Sequence, residues 1–538
     1  MMLNPVTQSF IDFKLRERQG HYSDVQQYRN YANGEQAIHL TNAQKILLVG
    51  ADSAGNPNSN PEFVLNVCNT ILDVETDRLE IQSIAVNVEG NEELSDDLSK
   101  RAWQWFKASR MDEGQQNAHY AAARDADSFG FAYYDKDKLA PRLAINPLYD
   151  GEDNGADMFY VDDDPTQPEA AVKIWTISET DQRKIRRKNI YYPDRIEYWI
   201  CEGVLTGAYA QAGWRPLRFS DPDWQPTMTD APSLQSASLS QTATIEWWTD
   251  SGNERGRPLG IPVFHFRHQA RGTAYGRSTI ADVVPGLQDA VNRAGVSLMA
   301  AAQLSGFKVT TANGIDREAI QDLRVYPGAI IASTEGSFGQ LAESDLLQLI
   351  EVLNAYIKNA ATLTNTPLSF FNLGGQAPAE GSQKQLELGL LAKTRRNQTS
   401  FGNTWEDAIR YMFKLDSIAA GGETLLTWEQ IDDLDISIVW EPADVRNELT
   451  EIQVAEAHQR LGVPQKFIWR KLGYSEDDIA QFEQEADVKR AQAMGQMAQK
   501  IRELETAANV GGNNGTNGAT NPIPAGASGG NGSQPTGA

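Results

Sequence analysis

Asn365–Gln398 reads NTPLSFFNLGGQAPAEGSQKQLELGLLAKTRRNQ. Pro367 and Pro378 prevent neighbouring helices from running through, and Gly374-Gly375 supplies conformational freedom. Phe370 and Phe371 are too apolar for a wholly solvated loop. Behind this stretch, Ser382–Leu415 has the spacing of a long amphipathic helix, with a bend expected at Gly402. In front of it, Glu343–Leu363 places Leu346, Leu347, Ile350, Leu353 and Ile357 on one stripe. Earlier still, Ser278–Leu304 (STIADVVPGLQDAVNRAGVSLMAAAQL) reads as a helix N-capped by Ser278 and kinked at Pro285-Gly286. Between these two helices lies a small α/β insert at about 306–341, with Lys308–Thr311, a short helix near Arg317–Leu323, and Tyr326–Ala332. Helix, compact insert, helix, loop and long helix make a poor enclosed active site. They make a good radial wedge of a ring.

Outward from this block, the first 36 residues look helical, with Gly20 an interruption and Asn33-Gly34 a stop. A second helical stretch at Asn60–Arg78, with Pro61 near its start, leads into a β-like run, Ile81–Val88. Asn91–Ser109, with Trp103 and Phe106 on its inner side, and Gln115–Ser128 read as two further helices. From about 129 to 267 the runs FGFAYYD, AVKIWTI, NIYYPDRIEYWICEG, ATIEWWTD and IPVFHFRH are rich in β-branched and aromatic residues, so this segment is β-rich. Residues 212–242 read as a long loop or insertion. A strand at Ile436–Trp440 and helices from Asn447 to about Ala508 complete the folded part. Residues 509–538, almost only Gly, Asn, Thr, Ala, Ser, Pro and Gln, are expected to be disordered. The fold class is α+β.

The chain has 538 residues, with 48 Lys plus Arg against 72 Asp plus Glu, a formal charge of −24. That balance argues against a protein coating nucleic acid with a continuous basic face, but not against one holding DNA in a channel without gripping it. Two cysteines, Cys68 and Cys201, exclude a disulfide scaffold and a cysteine-rich zinc module. No run of 18 apolar residues and no signal-peptide core occur, so the chain is expected to be soluble and intracellular.

The search for catalysis returns little. Gly526-Ala-Ser-Gly-Gly530 matches a nucleophile elbow but has no strand before it or helix after it. Gly375–Ser382 has neither the lysine nor the glycine spacing of a phosphate loop. The acids Asp150, Glu152, Asp153, Asp157 and Asp162–Asp164 are of the type that binds hard cations, yet lack the calcium-loop pattern; a solvated acidic loop is the bland alternative. His265 and His268, i and i+3 on a strand, face opposite ways and read as structural. Arg183–Lys188 (RKIRRK) reads as a charged hairpin facing solvent or an acidic neighbour, with nucleic-acid or inter-subunit contact as alternatives. Lys393, Arg395 and Arg396 form a second basic cluster, a solvated helix face or a phosphate contact beside the loop.

Taken in order, these pieces resemble a bacteriophage portal protein, the head-to-tail connector of the siphovirus type. YRNYANGEQ (Tyr28–Gln36), NPEFVLNVCNTILDVETDRL (Asn60–Leu79), the block Ile261–Leu304 and the stretch quoted first carry the likeness, which spans about residues 20 to 500. The resemblance implies a wing at 1–277 and 382–446, stem helices at 278–304 and 342–365, a clip at 305–341, a tunnel loop at 366–381 and a helical crown at 447–508. It implies a dodecameric, non-enzymatic ring without cofactor at the capsid's portal vertex, assembled in the host cytoplasm. A separate terminase motor packages double-stranded DNA through it without reading sequence, and head-tail adaptors, major capsid and scaffolding proteins are its other partners. Phe370, Phe371, Asn372, Gly374, Gly375, Lys393, Arg395 and Arg396 would face the channel, and Arg317, Glu318 and Asp322 would meet partners at the clip. The rival readings are an acidic metal-dependent hydrolase or nuclease and a scaffold without a channel.

Overall fold

Helix α1 (Gln8–Glu17) breaks at Arg18, two residues before Gly20, and α2 (Gln19–Asn33) follows. Gly34 ends α2 at φ 76°, its amide bonded to the Asn30 and Tyr31 carbonyls, the left-handed stop that Asn33-Gly34 foretold. This computed structural model describes residues 8–37, 65–202 except 136, 152–153 and 181–182, 214–217, 244–246, 258–306 except 282, 310–313, 337–340, 346–371, 380–419, 426–443 and 448–472, with scattered positions at 40–56 and 474–500. The chain divides into two units, 1–461 and 462–538.

Helix α3 (Val67–Thr76) is capped by Asn66, whose side chain accepts the Asn69 amide. Strand β1 (Ile81–Asn87) and α4 (Glu92–Ala108) come next; Asn91 caps α4 through the Leu94 amide, and Trp105 and Phe106 are buried on its inner side. Helix α5 (Met111–Asp125) starts four residues before the expected Gln115. The β-rich segment follows as β2 (Asp127–Asp135), β3 (Ala140–Pro147), β4 (Gly155–Tyr160), β5 (Pro168–Thr180), β6 (Arg183–Tyr191), β7 (Arg195–Glu202), the short β8 (Arg215–Pro216) and β9 (Thr244–Glu246), then β10 (Val263–Arg267). One antiparallel sheet has the order β10-β2-β3; another runs β4-β5-β6-β7-β8, with β9 also on β7.

Residues 279–281 and 283 form turns and Ser278 is not helical, which corrects the expected start at Ser278. Ser278 is buried and its Oγ accepts the Ile280 amide within that turn. A π-helical turn at Val284–Gln288 absorbs Pro285, and α6 (Asp289–Gly306) continues from it. Strands β11 (Thr310–Asn313) and β12 (Ser337–Gln340) pair antiparallel before α7 (Leu346–Thr364). A 3₁₀ turn at Leu368–Phe371 precedes α8 (Glu380–Ala419), 40 residues long. The helix runs unbroken through Gly402, which lets Trp440 approach, its indole nitrogen 3.4 Å from where a Cβ would stand. Helix α9 (Trp428–Asp432) and β13 (Asp435–Trp440) follow, β13 pairing antiparallel with β1, and α10 (Glu448–Arg460) ends the first unit. The second unit contributes α11 (Gln465–Leu472).

The main core forms where Phe401, Trp405, Ala408, Ile409 and Met412 of α8, one stripe at helical spacing, meet Phe129, Phe131 and Phe266 of the β10-β2-β3 sheet and Phe106 of α4. A second core gathers Tyr31, Val67, Cys68, Ile71, Leu72, Ile280, Val283, Val291 and Ile357 around α3. It is there that the α6–α7 pair is rooted.

Candidate functional site

Gln288, in the π turn, ties the root of α6 to α3. Its Oε1 accepts the Val67 and Cys68 amides at 3.1 and 3.3 Å, and its Nε2 donates to the Leu65 carbonyl at 2.7 Å. Two helix-start amides that would lack partners are thereby satisfied inside the protein. Tyr31 Oη adds a bond of 2.8 Å to Asp289 Oδ1. The other ends of α6 and α7 lead into the β11-β12 pair, and Gly286 and Leu287 flank a cleft of about 470 Å³ with Asn359, Thr362 and Leu363. The start of α6 thus lies beside the end of α7, and the two helices form a hairpin. Away from its root this hairpin exposes large apolar side chains: Leu347 is 72% exposed, with Ile350 and Val352 of α7 and Met299 of α6 also exposed.

Beyond α7 the two phenylalanines part. Phe371 is half-buried and packs against the core around α3, whereas Phe370 is 42% exposed. Asn365 takes φ 56°, and Gly389 of α8 leaves room for it, with Asn365 Oδ1 3.2 Å from where a Cβ would be. The chain leaving α7 is therefore held against α8 and the core around α3. Asn372, Gly374 and Gly375 within it, and Arg317, Glu318 and Asp322 of the insert, lie outside the described residues.

Lys393 does not sit on the solvated helix face expected from its neighbours. It is 5% exposed, and its Nζ lies 2.6 Å from Glu75 Oε2. Glu75 also accepts from Thr279 Oγ1 at 2.6 Å and Asn397 Nδ2 at 2.8 Å, and His268 Nε2 lies 2.8 Å from its Oε1. Burial alone would push this carboxyl up, but the charges of His268 and Lys393 outweigh it and hold Glu75 below the ordinary carboxylate range. Arg395 and Arg396, one helical step away, are exposed.

A family model described as phage portal protein, SPP1 Gp6-like, matches residues 11–501. The chain belongs to this portal family. It is similar to the portal protein of Mycobacterium phage D29, 22% identical over 339 residues that cover 60% of this chain and 60% of that protein. It is also similar to the portal protein of Mycobacterium phage L5, 26% identical over 201 residues, 34% of this chain and 41% of the relative. The matches therefore span three fifths or less of those relatives' length.

Elsewhere in this portal-family chain, two charged motifs lie where sequence did not place them. Arg186, Arg187 and Lys188 of β6 are buried, not solvated. Aromatic faces cover two of them: Arg187 lies 5.0 Å from the Tyr198 ring and Lys188 4.7 Å from that of Trp214. The acidic segment is dispersed. Asp157 turns inward to Arg18 Nε and Tyr22 Oη, both at 2.5 Å, while Asp150 bonds Asn154 and Asp164 bonds Thr166; Glu152 and Asp153 lie outside the described residues. Among the described residues, no three His, Cys, Asp or Glu side chains are grouped to hold a metal ion, and no helix is long and apolar enough to cross a membrane.

His265 and His268 occupy separate networks; His265 is on β10 whereas His268 lies just past its end at Arg267, so the expected placement of both on one strand is corrected. His265 spans Tyr160 Oη and Asp127 Oδ1, both at 2.7 Å. His265 and Arg18 overcome the effect of burial and bring Asp127 down to about 2. Glu75 and Asp127 are buried charges that sequence reasoning passed over. Glu75 left one trace, an acid among the apolar positions of a helix.

Proposed function

We propose that this portal-family chain assembles into a ring-shaped channel at one capsid vertex, through which a separate terminase motor packages double-stranded DNA and through which the DNA later leaves. The observation that carries this reading is the α6–α7 hairpin: rooted in the core around α3, apolar on its exposed faces and tipped by a small β pair. Exposed apolar helix faces of this kind require a partner, and copies packed around an axis supply one. In this reading the chain acts as a conduit and the separate motor supplies the chemistry.

In this reading α6 and α7 are the stem, the β11-β12 insert is the clip that meets the motor and the head-tail adaptors, and the segment between α7 and α8 is the tunnel loop. Arg317, Glu318 and Asp322 serve at the clip. Phe370, Asn372, Gly374 and Gly375 face the bore, with Arg395 and Arg396 as local cations; Phe371 anchors the loop root instead. The acidic total charge denies DNA a fixed register, which suits translocation. Major capsid and scaffolding proteins surround the ring in the virion.

A packaging reaction tests this. Proheads assembled with the chain, given motor, ATP and linear DNA, are expected to protect DNA from nuclease, and Gly374→Pro with Gly375→Pro to shorten the protected length while rings persist. Equal protection by proheads lacking the chain overturns the reading.

A further inference from the structure

The Glu75 cluster fixes the proton count of His268. His268 Nδ1 lies 2.6 Å from the Arg277 carbonyl oxygen, which can only accept. Its Nε2 lies 2.8 Å from Glu75 Oε1, and an ionised carboxylate also only accepts. Thr279 Oγ1 is 3.2 Å from the same Nε2, but its proton is directed to Glu75 Oε2 at 2.6 Å. The Gln269 amide nitrogen, 3.4 Å away, is a donor set at long range. Either neutral tautomer therefore points a ring lone pair at an acceptor oxygen less than 3 Å away.

We infer that His268 carries a proton on both ring nitrogens in the folded chain and acts as a pH-sensitive pin joining α3, the turn before α6, and α8. The groups that face it define the pin. Glu75 comes from α3, Lys393 and Asn397 from α8, and Thr279, Gln269 and the Arg277 carbonyl from its own segment. Two cations thus share one buried carboxylate, and of the two side-chain types histidine is the one that ordinarily gains or loses its charge near neutral pH. A second tie joins the residues just after α3 to α8, Arg78 Nη2 lying 3.1 Å from Glu387 Oε2.

Loss of the extra proton leaves the ring with one bond in place of two. The bond to Glu75 or the one to Arg277 is lost, and the 268–280 turn loosens from α3, while Lys393 and Asn397 still hold α8 to Glu75. That turn leads into the helix hairpin, so the pin sets how firmly the hairpin is rooted. The inference stands on the buried geometry and does not depend on the channel reading.

Hydrogen exchange of the full chain, followed by mass spectrometry from pH 6 to 9 and normalised to the exchange of unstructured peptide at each pH, tests the pin. Protection in peptides covering 268–281 is expected to fall at least about fivefold as pH rises, while strand 127–135 keeps its protection. His268→Gln, which has no proton to lose in this range, is expected to remove the pH dependence. Should that variant fail to fold, Glu75→Gln supplies a second measure. Its amide can donate to a neutral ring, so the loosening is expected to begin at lower pH. Unchanged protection in the native chain overturns the inference, as does the same loosening in His268→Gln or an unmoved onset in Glu75→Gln.

Discussion

Trp405 donates its indole N–H to His119 Nε2 across 3.0 Å, while His119 Nδ1, 3.0 Å from the Leu79 carbonyl oxygen, donates there. The ring is fully buried and stacks on Phe401 at 5.0 Å between centroids. One nitrogen must accept and the other donate, so the imidazole is neutral. It joins α8 to α5 and to the chain leading into β1.

This joint makes the fold acid-labile. Burial drives His119 from 6.5 down to about 3, against the opposing pull of its Leu79 bond. The unfolded chain takes up a proton as pH falls below 6.5, and the folded chain does not until about 3. Unfolding therefore gains a proton in that window, and stability is lost as pH falls, by at most about 1.4 kcal/mol per pH unit from this group. Denaturant midpoints measured from pH 8 to 5 are expected to fall for the native chain. His119→Gln is expected to be less stable at pH 8 but to show a flatter dependence.

Lys393 and its arginine neighbours are expected to separate sharply. Lys393→Ala leaves the buried Glu75 carboxylate without its closest cation and is expected to cost about 3–5 kcal/mol. Arg395→Ala and Arg396→Ala, on the exposed face, are expected to stay within about 0.5 kcal/mol. Equilibrium unfolding of the three variants side by side checks this.

Lys173 carries the opposite sign. Burial lowers it from 10.5 to about 8, beside the Phe131 and Trp175 rings at 5.1 and 5.5 Å. Below pH 8 the folded chain holds a charge it has not fully compensated. Lys173→Met is therefore expected to raise stability at pH 7 by on the order of 1–2 kcal/mol. The gain should shrink as pH rises from 8 towards 10.5, because the folded native chain then sheds its proton before the unfolded chain does. Melting at pH 7 and pH 10 reads the difference.

Gly276 admits no side chain. A Cβ there would stand 2.0 Å from the Ala126 carbonyl oxygen and 2.8 Å from the backbone nitrogen and oxygen of His268. Backbone cannot swing aside as a side chain can, so Gly276→Ala is expected to cost about 3 kcal/mol or more. Its amide also donates to Asp127 Oδ1 at 2.7 Å, a bond this shift would strain. Soluble yield and the unfolding midpoint report the effect.

Much of this was legible in the sequence, for local reasons. Asn91 and Ser109 delimit α4 because one caps its start and the other closes its end; Gly34 stops α2 because it tolerates positive φ. The stripe on α7 and the aromatic runs of the β segment gave the right element types by periodicity alone. What sequence hid was which charges turn inward. Arg186, Arg187 and Lys188 look like a solvated run until Trp175, Tyr198 and Trp214, remote or on neighbouring strands, are folded over them. Lys393 likewise meets Glu75 across 318 positions of chain, a pairing no local pattern encodes. Ser278 resembled a cap because its hydroxyl does bond an amide nearby, but in a turn that Pro285 keeps from becoming helix.

The channel account is tested most directly by the mass and shape of the purified full-length chain, measured by native mass spectrometry together with negative-stain imaging. The account predicts a closed ring with a central hole, of about twelve copies, in which cyclic packing covers the apolar faces of α6 and α7. A compact monomer at every concentration and salt condition would contradict it.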